Sequence, residues 1–347
     1  MKPLKYLFIS SMLFVATSCG NSWLDLEPST SVDTETSIKI LSDVEFTLNG
    51  IYSTMQSSDA YSGRLVYYGD VTGDDMQAVS STKRVANYYR FNFTKDDNPS
   101  SHWSYLYSII QNCNLILMNI DKLVIDEDDK AYRDDLKGEA LAIRGLALFD
   151  LTRIFGYPYL KDDGASLGVP IIEGLSTIDS KPTRNTVAQC YTKIIDDLTQ
   201  SLSLLGEKFN KGKINKWGAM VLLSRVYLYK GENANALKMA SDAIIGAEKN
   251  KYALWTNEDY PTAWGEDASA SKPGEVLFEI VNLTTDSPGK ESMGYLNSYD
   301  GYDDMCITCS FYQFLKEDPK DIRLKLLSFD KKYYAYVNKY QPQREEN

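Results

Sequence analysis

The feature that most constrains the fold is the stretch from Leu136 to Pro158. Its apolar residues fall on two neighbouring stripes of a 3.6-residue repeat, which predicts a helix that packs on more than one side. Small residues let partner helices approach it closely: Gly138, Ala140, Ala142, Gly145 and Ala147. Gly156 followed by Pro158 marks the end of the helix. A chain organised around such a helix is predicted to be mainly α-helical.

Four further segments have helical spacing. Ser42 and Glu45 have capping-box spacing and precede a helix that runs to Met55, and residues 103–124 and 187–205 form two more helices. Residues 216–247 match the pattern of a tetratricopeptide unit through Leu223, Ser224, Tyr227, Gly231, Ala236, Ala240 and Ala243. Because one such helix pair cannot bury its own face, other pairs must stack on it.

Two segments lack this periodicity. Residues 57–100 are rich in Ser, Gly, Asp, Asn and Tyr, which predicts loops with short strands, and the helical pattern stops again after Leu254. Pro273 to Ile280 is predicted to be one short strand. The chain has 25 tyrosines and five tryptophans, and aromatic faces suit stacking on sugars, although most rings in most proteins belong to the core.

The first 18 residues resemble an export signal. Lys2 and Lys5 precede an apolar run from Tyr6 to Val15, which is too short to span a membrane as a helix. Small residues then lead directly into Cys19, as in a lipobox, so we expect Cys19 to be the lipidated first residue of the mature chain. The alternative is a plain secretory signal followed by an incidental cysteine.

Composition and motifs exclude several functional classes. The net charge of −11 leaves no basic patch for nucleic acid. Residues 164–168 fit G-x-S-x-G, but a nucleophile elbow needs a later histidine, and the single histidine, His102, lies upstream. The same lone histidine argues against zinc chemistry, and no P-loop motif occurs in the sequence. We therefore expect no catalytic residues, no metal and no cofactor.

Two remaining patterns carry little chemistry. Cys306 and Cys309 form a C-x-x-C, but without a second pair zinc is poorly supported, and a disulfide or two ordinary thiols are favoured over redox catalysis. Adjacent carboxylates such as Asp74 and Asp75 occur, yet 48 acidic residues supply such pairs by chance. Nothing in the sequence singles out the two carboxylates that a glycoside hydrolase needs.

Three segments together resemble one known family. In the central helix the resemblance lies in Arg144-Gly145, Phe149-Asp150-Leu151 and Gly156-Tyr157-Pro158; in residues 103–124 it lies in Trp103, Tyr107, Ile110 and Asn114; near the amino terminus it lies in Trp23 to Pro28. These patterns are similar to those of the SusD/RagB family, the surface glycan-binding lipoproteins of the Bacteroidetes starch-utilisation type.

The resemblance implies a fold and a role. It implies a SusD-like domain over residues 19–347, built as a tetratricopeptide-like helical scaffold with long irregular loops and a few short strands. Family members usually continue further, so it also implies that a C-terminal helical part is missing from this chain. The implied role is non-enzymatic glycan capture at the exterior of the outer membrane, in partnership with a TonB-dependent SusC-like transporter.

The resemblance also indicates where ligand contacts lie. In the family they come from the region before and at the helix that contains Trp103, and from loops after the tetratricopeptide unit. On that basis we predict that glycan contacts Arg84, Trp103, Trp255, Trp264 and Tyr299. Trp103 heads an apolar stripe and fits a core position equally well. The alternative function is a surface scaffold that binds protein or peptide through the concave face of its helical repeats.

Overall fold

The computed structural model describes residues 37–94, 99–177, 179–210, 212–264, 274–282, 286, 288–330, 332 and 334–340. The predicted signal peptide, Cys19 and Trp23 to Pro28 lie outside the described residues. The helices are α1 (Leu41–Met55), α2 (Arg64–Thr72), α3 (Ala86–Tyr89), α4 (Ser100–Asn119), α5 (Lys130–Phe155), α6 (Val187–Leu204), α7 (Lys216–Lys230), α8 (Asn233–Lys249), α9 (Met293–Asn297) and α10 (Cys309–Lys316). The strands are β1 (Met76–Ala78), β2 (Met305–Ile307), β3 (Leu327–Phe329) and β4 (Ala335–Val337).

The six long helices pack in a row. Helix α1 packs on α4, α4 on α5, α5 on α6, α6 on α7 and α7 on α8. This arrangement of neighbouring antiparallel helices buries one continuous apolar core that runs from α1 to α7. The prediction of a mainly α-helical repeat scaffold is confirmed. In the described part of the chain, no helix combines the length and the apolar character needed to cross a bilayer.

Helix α5 lies at the centre of the row, as its sequence predicts. Almost every side chain from Leu136 to Thr152 is buried. A Cβ added to Gly138 would lie 2.9 Å from the side chain of Leu205, and one added to Gly145 would lie 3.0 Å from Leu198. The two glycines therefore let α6 approach the backbone of α5 more closely than any larger residue would allow.

A buried ion pair joins the three central helices. Arg144 on α5 donates two hydrogen bonds to Asp197 on α6, from Nε at 2.8 Å and from Nη2 at 2.6 Å. Its third donor reaches Asn114 on α4 at 2.8 Å, and Asn114 in turn donates to two backbone carbonyls of the 172–174 segment. All three side chains are buried, so each polar group has found a partner in place of water.

The tetratricopeptide-like unit is formed by α7 and α8. Gly231, with φ of +84°, ends α7 in the left-handed conformation and allows the tight turn into α8. Ser224 donates to the backbone carbonyl of Ala236 across the pair, at 2.8 Å. A Cβ on Gly246 would lie 2.0 Å from the Trp217 ring, so α8 needs glycine where the indole crosses it.

A smaller second core lies beside the helical row. Strands β1 and β2 pair antiparallel with Met76 opposite Ile307, and β3 and β4 pair antiparallel with Leu327 opposite Val337. Their inner side chains pack with α2, α3 and α9 around a separate apolar cluster: Tyr67, Val71, Met76, Val85, Leu296, Met305, Ile307 and Ala335. We call this second unit the small module.

Three local predictions are wrong. Residues 57–100 contain α2 and α3 as well as β1, because Tyr67 and Val71 supply a buried helical stripe within a polar sequence. Residues 274–280 form no strand, because the Leu277 carbonyl accepts a hydrogen bond from the Asn215 side chain and the Gly274 carbonyl accepts one from the backbone of Ala253. The amino end of α1 is capped by Asp43, which accepts from the backbone of Lys39 and Ile40, and not by a box of Ser42 and Glu45.

The buried ion pair generates a stability prediction. We expect Arg144→Met to lower the free energy of unfolding by about 3 kcal/mol, because Asp197 then stays buried with Lys193 alone, 3.2 Å away. Lys238→Met removes an exposed pair with Asp242 and serves as the control, with an expected change below about 0.5 kcal/mol. Urea unfolding measures both values, and equal small shifts would contradict the role assigned to Arg144.

A buried carboxyl on α5 makes stability depend on pH. Glu139 is 3% exposed and accepts a hydrogen bond of 2.6 Å from the Tyr52 hydroxyl. Burial raises the pKa of Glu139 from 4.5 to about 7, and the hydrogen bond from Tyr52 and the charge of Lys213 oppose that rise. Between pH 4.5 and about pH 7, the folded chain therefore holds a proton at this site that the unfolded chain has released.

The sign of the effect follows from linkage. Because the folded pKa of Glu139 lies above the unfolded value, its stabilising contribution is complete below pH 4.5 and is lost as pH rises to about 7. We expect Glu139→Gln to remove about 3 kcal/mol of this dependence, with Glu127→Gln on an exposed side chain as the control. Urea unfolding midpoints measured from pH 4 to 8 test this expectation. Parallel curves of midpoint against pH for wild type and Glu139→Gln would refute it.

Candidate functional site

Four aromatic side chains from two distant segments meet beside the small module. Trp264 is the hub: its ring centroid lies 5.0 Å from that of Trp255, 5.7 Å from that of Tyr260 and 6.4 Å from that of Tyr340. All three contacts are edge-to-face, a favourable geometry for aromatic pairs. The Tyr340 side chain is 43% exposed, and the other three are half-buried. We call these four residues the tryptophan cluster.

Local hydrogen bonds explain how the first segment presents its rings. Two hydrogen bonds hold the start of the segment: the Ala253 backbone donates to the Gly274 carbonyl at 3.0 Å, and the Trp255 backbone donates to the Glu275 carboxylate at 3.1 Å. A helical turn begins at Thr256, whose carbonyl accepts from the backbone of Tyr260. The turn places Tyr260 and Trp264, four residues apart, on one side.

A cation lies on the hub of this cluster. The Lys339 ammonium is 3.5 Å from the centroid of the Trp264 ring and 5.4 Å from that of Tyr340. Burial lowers the pKa of Lys339, while the negative charges of Asp70 and Glu275 raise it. The indole Nε1 of Trp264 is buried, and it has no hydrogen-bond partner in the part of the chain that the structure describes.

Arg84 is held within a network of charges. Its guanidinium pairs with Asp304 at 2.9 Å and with Glu291 at 3.1 Å, and it lies 4.2 Å from the centroid of the Tyr302 ring. Glu291 also pairs with Arg64 on α2, at 3.2 Å. Arg84 thus ties together the segments of the small module, and glycan contact by its guanidinium stays a prediction.

The remaining two predicted residues lie apart from the tryptophan cluster. Tyr299 is 45% exposed, and its ring centroid is 5.8 Å from that of Tyr336, within the small module. Trp103 packs between Tyr107 and Phe155, with centroid distances of 4.9 and 5.0 Å, against the main helical core. The structure therefore brings Trp255 and Trp264 together, and glycan contacts by Tyr299 and Trp103 stay predictions.

Sequence reasoning did not select several members of this site. Tyr260 had a usable signal, because it precedes Trp264 by one helical turn. Lys339 and Tyr340 lie 75 and 76 residues beyond Trp264, and Asp70 comes from α2, so no local pattern joins them. Their meeting follows from the way β4 and α2 pack in the small module.

The arrangement offers recognition and little reactive chemistry. Among the described residues, no three histidine, cysteine or carboxylate side chains lie together as a metal site would need. His102 is 1% exposed, it contacts the Asp59 carbonyl through Nδ1 at 3.0 Å, and burial lowers its pKa. Cys306 is buried on β2 and Cys309 is exposed at the start of α10, both as free thiols.

Comparison with known proteins adds to this geometry. A protein from Bacteroides vulgatus, named as a candidate sugar-binding protein, has a crystal structure that is 82% identical with a TM-score of 0.87, over 90% of this chain and 70% of that one. A SusD superfamily protein from Bacteroides vulgatus is 36% identical with a TM-score of 0.82, over 89% of this chain and 70% of that one.

Curated relatives give the same result at lower identity. A SusD-like protein of Formosa agariphila is 28% identical over 311 residues, which are 87% of this chain and 57% of that protein. A SusD-like protein of Bacteroides ovatus is 25% identical over 227 residues, 65% of this chain and 39% of that protein. The chain spans about half the length of the curated relatives that it matches.

A family model covers most of the helical row. Residues 22–228 match the SusD-like model described as starch-binding and associating with the outer membrane. The match includes the central helix α5 with its buried Arg144, and it extends through most of α7. Together with the similarity to the Bacteroides vulgatus structures over nine-tenths of the chain, it shows that this chain belongs to the SusD-like family.

Proposed function

We propose that this chain is a non-enzymatic glycan-binding lipoprotein of the outer membrane, which passes oligosaccharide or polysaccharide to a TonB-dependent SusC-like transporter. The observation that carries the proposal is the tryptophan cluster, in which two tryptophans and two tyrosines meet at a partly exposed position. Membership of a family described as starch-binding supports the same ligand class.

The cluster has the chemistry that sugar recognition uses. The axial C–H face of a pyranose is apolar and stacks on an aromatic ring, while its hydroxyl groups remain free to form hydrogen bonds. Glu275 lies beside the rings, because its carboxylate accepts a hydrogen bond from the backbone of Trp255 at 3.1 Å, and carboxylates also accept hydrogen bonds from hydroxyl groups. The half-buried rings supply contact area, and this carboxylate supplies orientation.

Attachment and delivery complete the proposal. Lipidation at Cys19 tethers the chain to the outer membrane, since each buried methylene contributes roughly 0.8 kcal/mol and several acyl chains add up. A tethered binding protein raises the local concentration of glycan at the transporter, over which it acts as a lid. The row of rigid helices serves as the support on which the small module is carried.

One observation favours the alternative, a scaffold that binds protein or peptide. Helix α8 exposes three large apolar side chains, Leu237, Ile244 and Ile245, at 68%, 59% and 53%. Exposed apolar residues at helical spacing are typical of faces that contact another helix. Glycan retention separates the two functions, because a scaffold of this kind migrates through a polysaccharide gel without delay.

The test is a substitution at the hub of the cluster. We expect Trp264→Ala to abolish retention in native gels that contain soluble starch, laminarin or xylan, a loss of at least about tenfold in affinity. Helicity by circular dichroism should be unchanged, because Trp264 lies outside all ten helices of the described chain. Phe46→Ala, which removes a ring that is 72% exposed on α1, is the matched control and should keep wild-type retention.

Three outcomes would count against the proposal. Wild-type migration that no polysaccharide slows would reject glycan binding and favour the scaffold. Retention that Trp264→Ala leaves unchanged would keep glycan binding but reject the tryptophan cluster as its site. Release of reducing sugar by the wild-type chain would show catalysis and contradict the non-enzymatic role.

A further inference from the structure

We propose that Lys339 is a displaceable cover on the Trp264 ring, and that a sugar must move its ammonium aside before it can stack there. The inference rests on the proposed function and adds a specificity-determining residue to the same site. It assigns Lys339 a role that opposes binding, although a lysine beside a ligand usually favours it.

The first step of the argument is distance. The ammonium lies 3.5 Å from the centroid of the Trp264 ring, which is the separation at which a stacked pyranose would place its own carbons. A cation and a sugar ring cannot occupy the same face at the same height. Among the described residues, Trp255, Tyr260 and Tyr340 contact the indole edge-to-face, and the flexible side chain on its face is that of Lys339.

The second step is the charge around the ammonium. Among the described residues Lys339 forms no ion pair. Other basic side chains in or next to the small module do form ion pairs: Arg64, Lys83, Arg84 and Arg323. Asp70 is exposed and Glu275 is half-buried, and both act on the Lys339 charge without pairing with it. An ammonium that leaves the ring therefore has carboxylates to move towards.

The third step compares the energies. A cation on a tryptophan face contributes about 0.5–2 kcal/mol, depending on how far it is desolvated. When a sugar displaces the ammonium, the complex loses this cation–π free energy. A new ion pair between Lys339 and Asp70 in water restores only part of it. Removing Lys339 relieves the sugar of this competition, so the affinity rises.

The experiment removes the ammonium and measures glycan affinity. We expect Lys339→Ala to tighten retention on a polysaccharide that retains wild type by about 3- to 10-fold. Lys339→Arg keeps a cation on the ring and should bind no tighter than wild type. Lys161→Ala is the matched control, because the Lys161 ammonium lies 3.3 Å from the centroid of the Tyr157 ring outside the cluster, and its affinity should not change.

A second measurement needs no glycan. Lys339→Ala should increase quenching of tryptophan fluorescence by acrylamide, because the indole face of Trp264 opens to solvent. The increase in quenching should vanish when Lys339→Ala is made in the Trp264→Phe background. That result would assign the increase to the Trp264 ring among the five tryptophans of the chain. Unchanged quenching in Lys339→Ala would overturn the cover, whether or not any polysaccharide binds.

A double-mutant cycle tests the part assigned to Asp70. Asp70→Asn should weaken retention in the wild-type background, because the displaced ammonium loses its partner, and should have no effect on Lys339→Ala. Affinity that falls or stays constant in Lys339→Ala would overturn the inference, and so would an effect of Asp70→Asn that persists without Lys339. If no polysaccharide retains wild type, the proposed function fails, and the quenching experiment alone decides whether Lys339 covers the ring.

Discussion

The helical row depends on the buried pair of Arg144 and Asp197. The guanidinium of Arg144 on α5 donates two hydrogen bonds to the carboxylate of Asp197 on α6. Its remaining nitrogen, Nη1, donates to the side-chain oxygen of Asn114 on α4. Each of these groups would be costly to bury alone, so the three helices are stable only in the register that unites them. Gly138 and Gly145 supply the close approach that this register requires.

Charged groups organise the small module differently. Arg84, Glu291 and Arg64 are each about one-third exposed at the side chain, so water and salt screen their pairs, and each contributes less than the buried pair of the helical row. The exception is Asp304, which is 2% exposed and is held by Arg84 at 2.9 Å. The small module is therefore the less rigidly held part of the molecule, and the candidate site lies beside it.

The sequence was informative wherever one helical period decided the structure. The stripe of α5, the helical spacing over residues 187–205 and the pairing of α7 with α8 are local patterns, and all appear in the structure. The segment 274–280 could not be predicted, because the Leu277 carbonyl bonds the side chain of Asn215, which is 62 residues away. For the same reason the sequence offered Trp255 and Trp264 as separate residues and gave no sign of Lys339.

Two regions far apart in the chain build the candidate site, and this has a thermodynamic consequence. Residues 253–264 meet Lys339–Tyr340 through ring contacts and one cation, and the Trp255 backbone donates a hydrogen bond to the Glu275 carboxylate. Anything that binds across their junction stabilises the folded arrangement by mass action, with the logarithm of its concentration over its dissociation constant. Local openings of the helical row leave this junction intact, so such a ligand does not oppose them. A glycan at the tryptophan cluster would therefore stabilise the small module selectively, and hydrogen exchange slowed in β4 but unchanged in α5 is the signature of binding at this site.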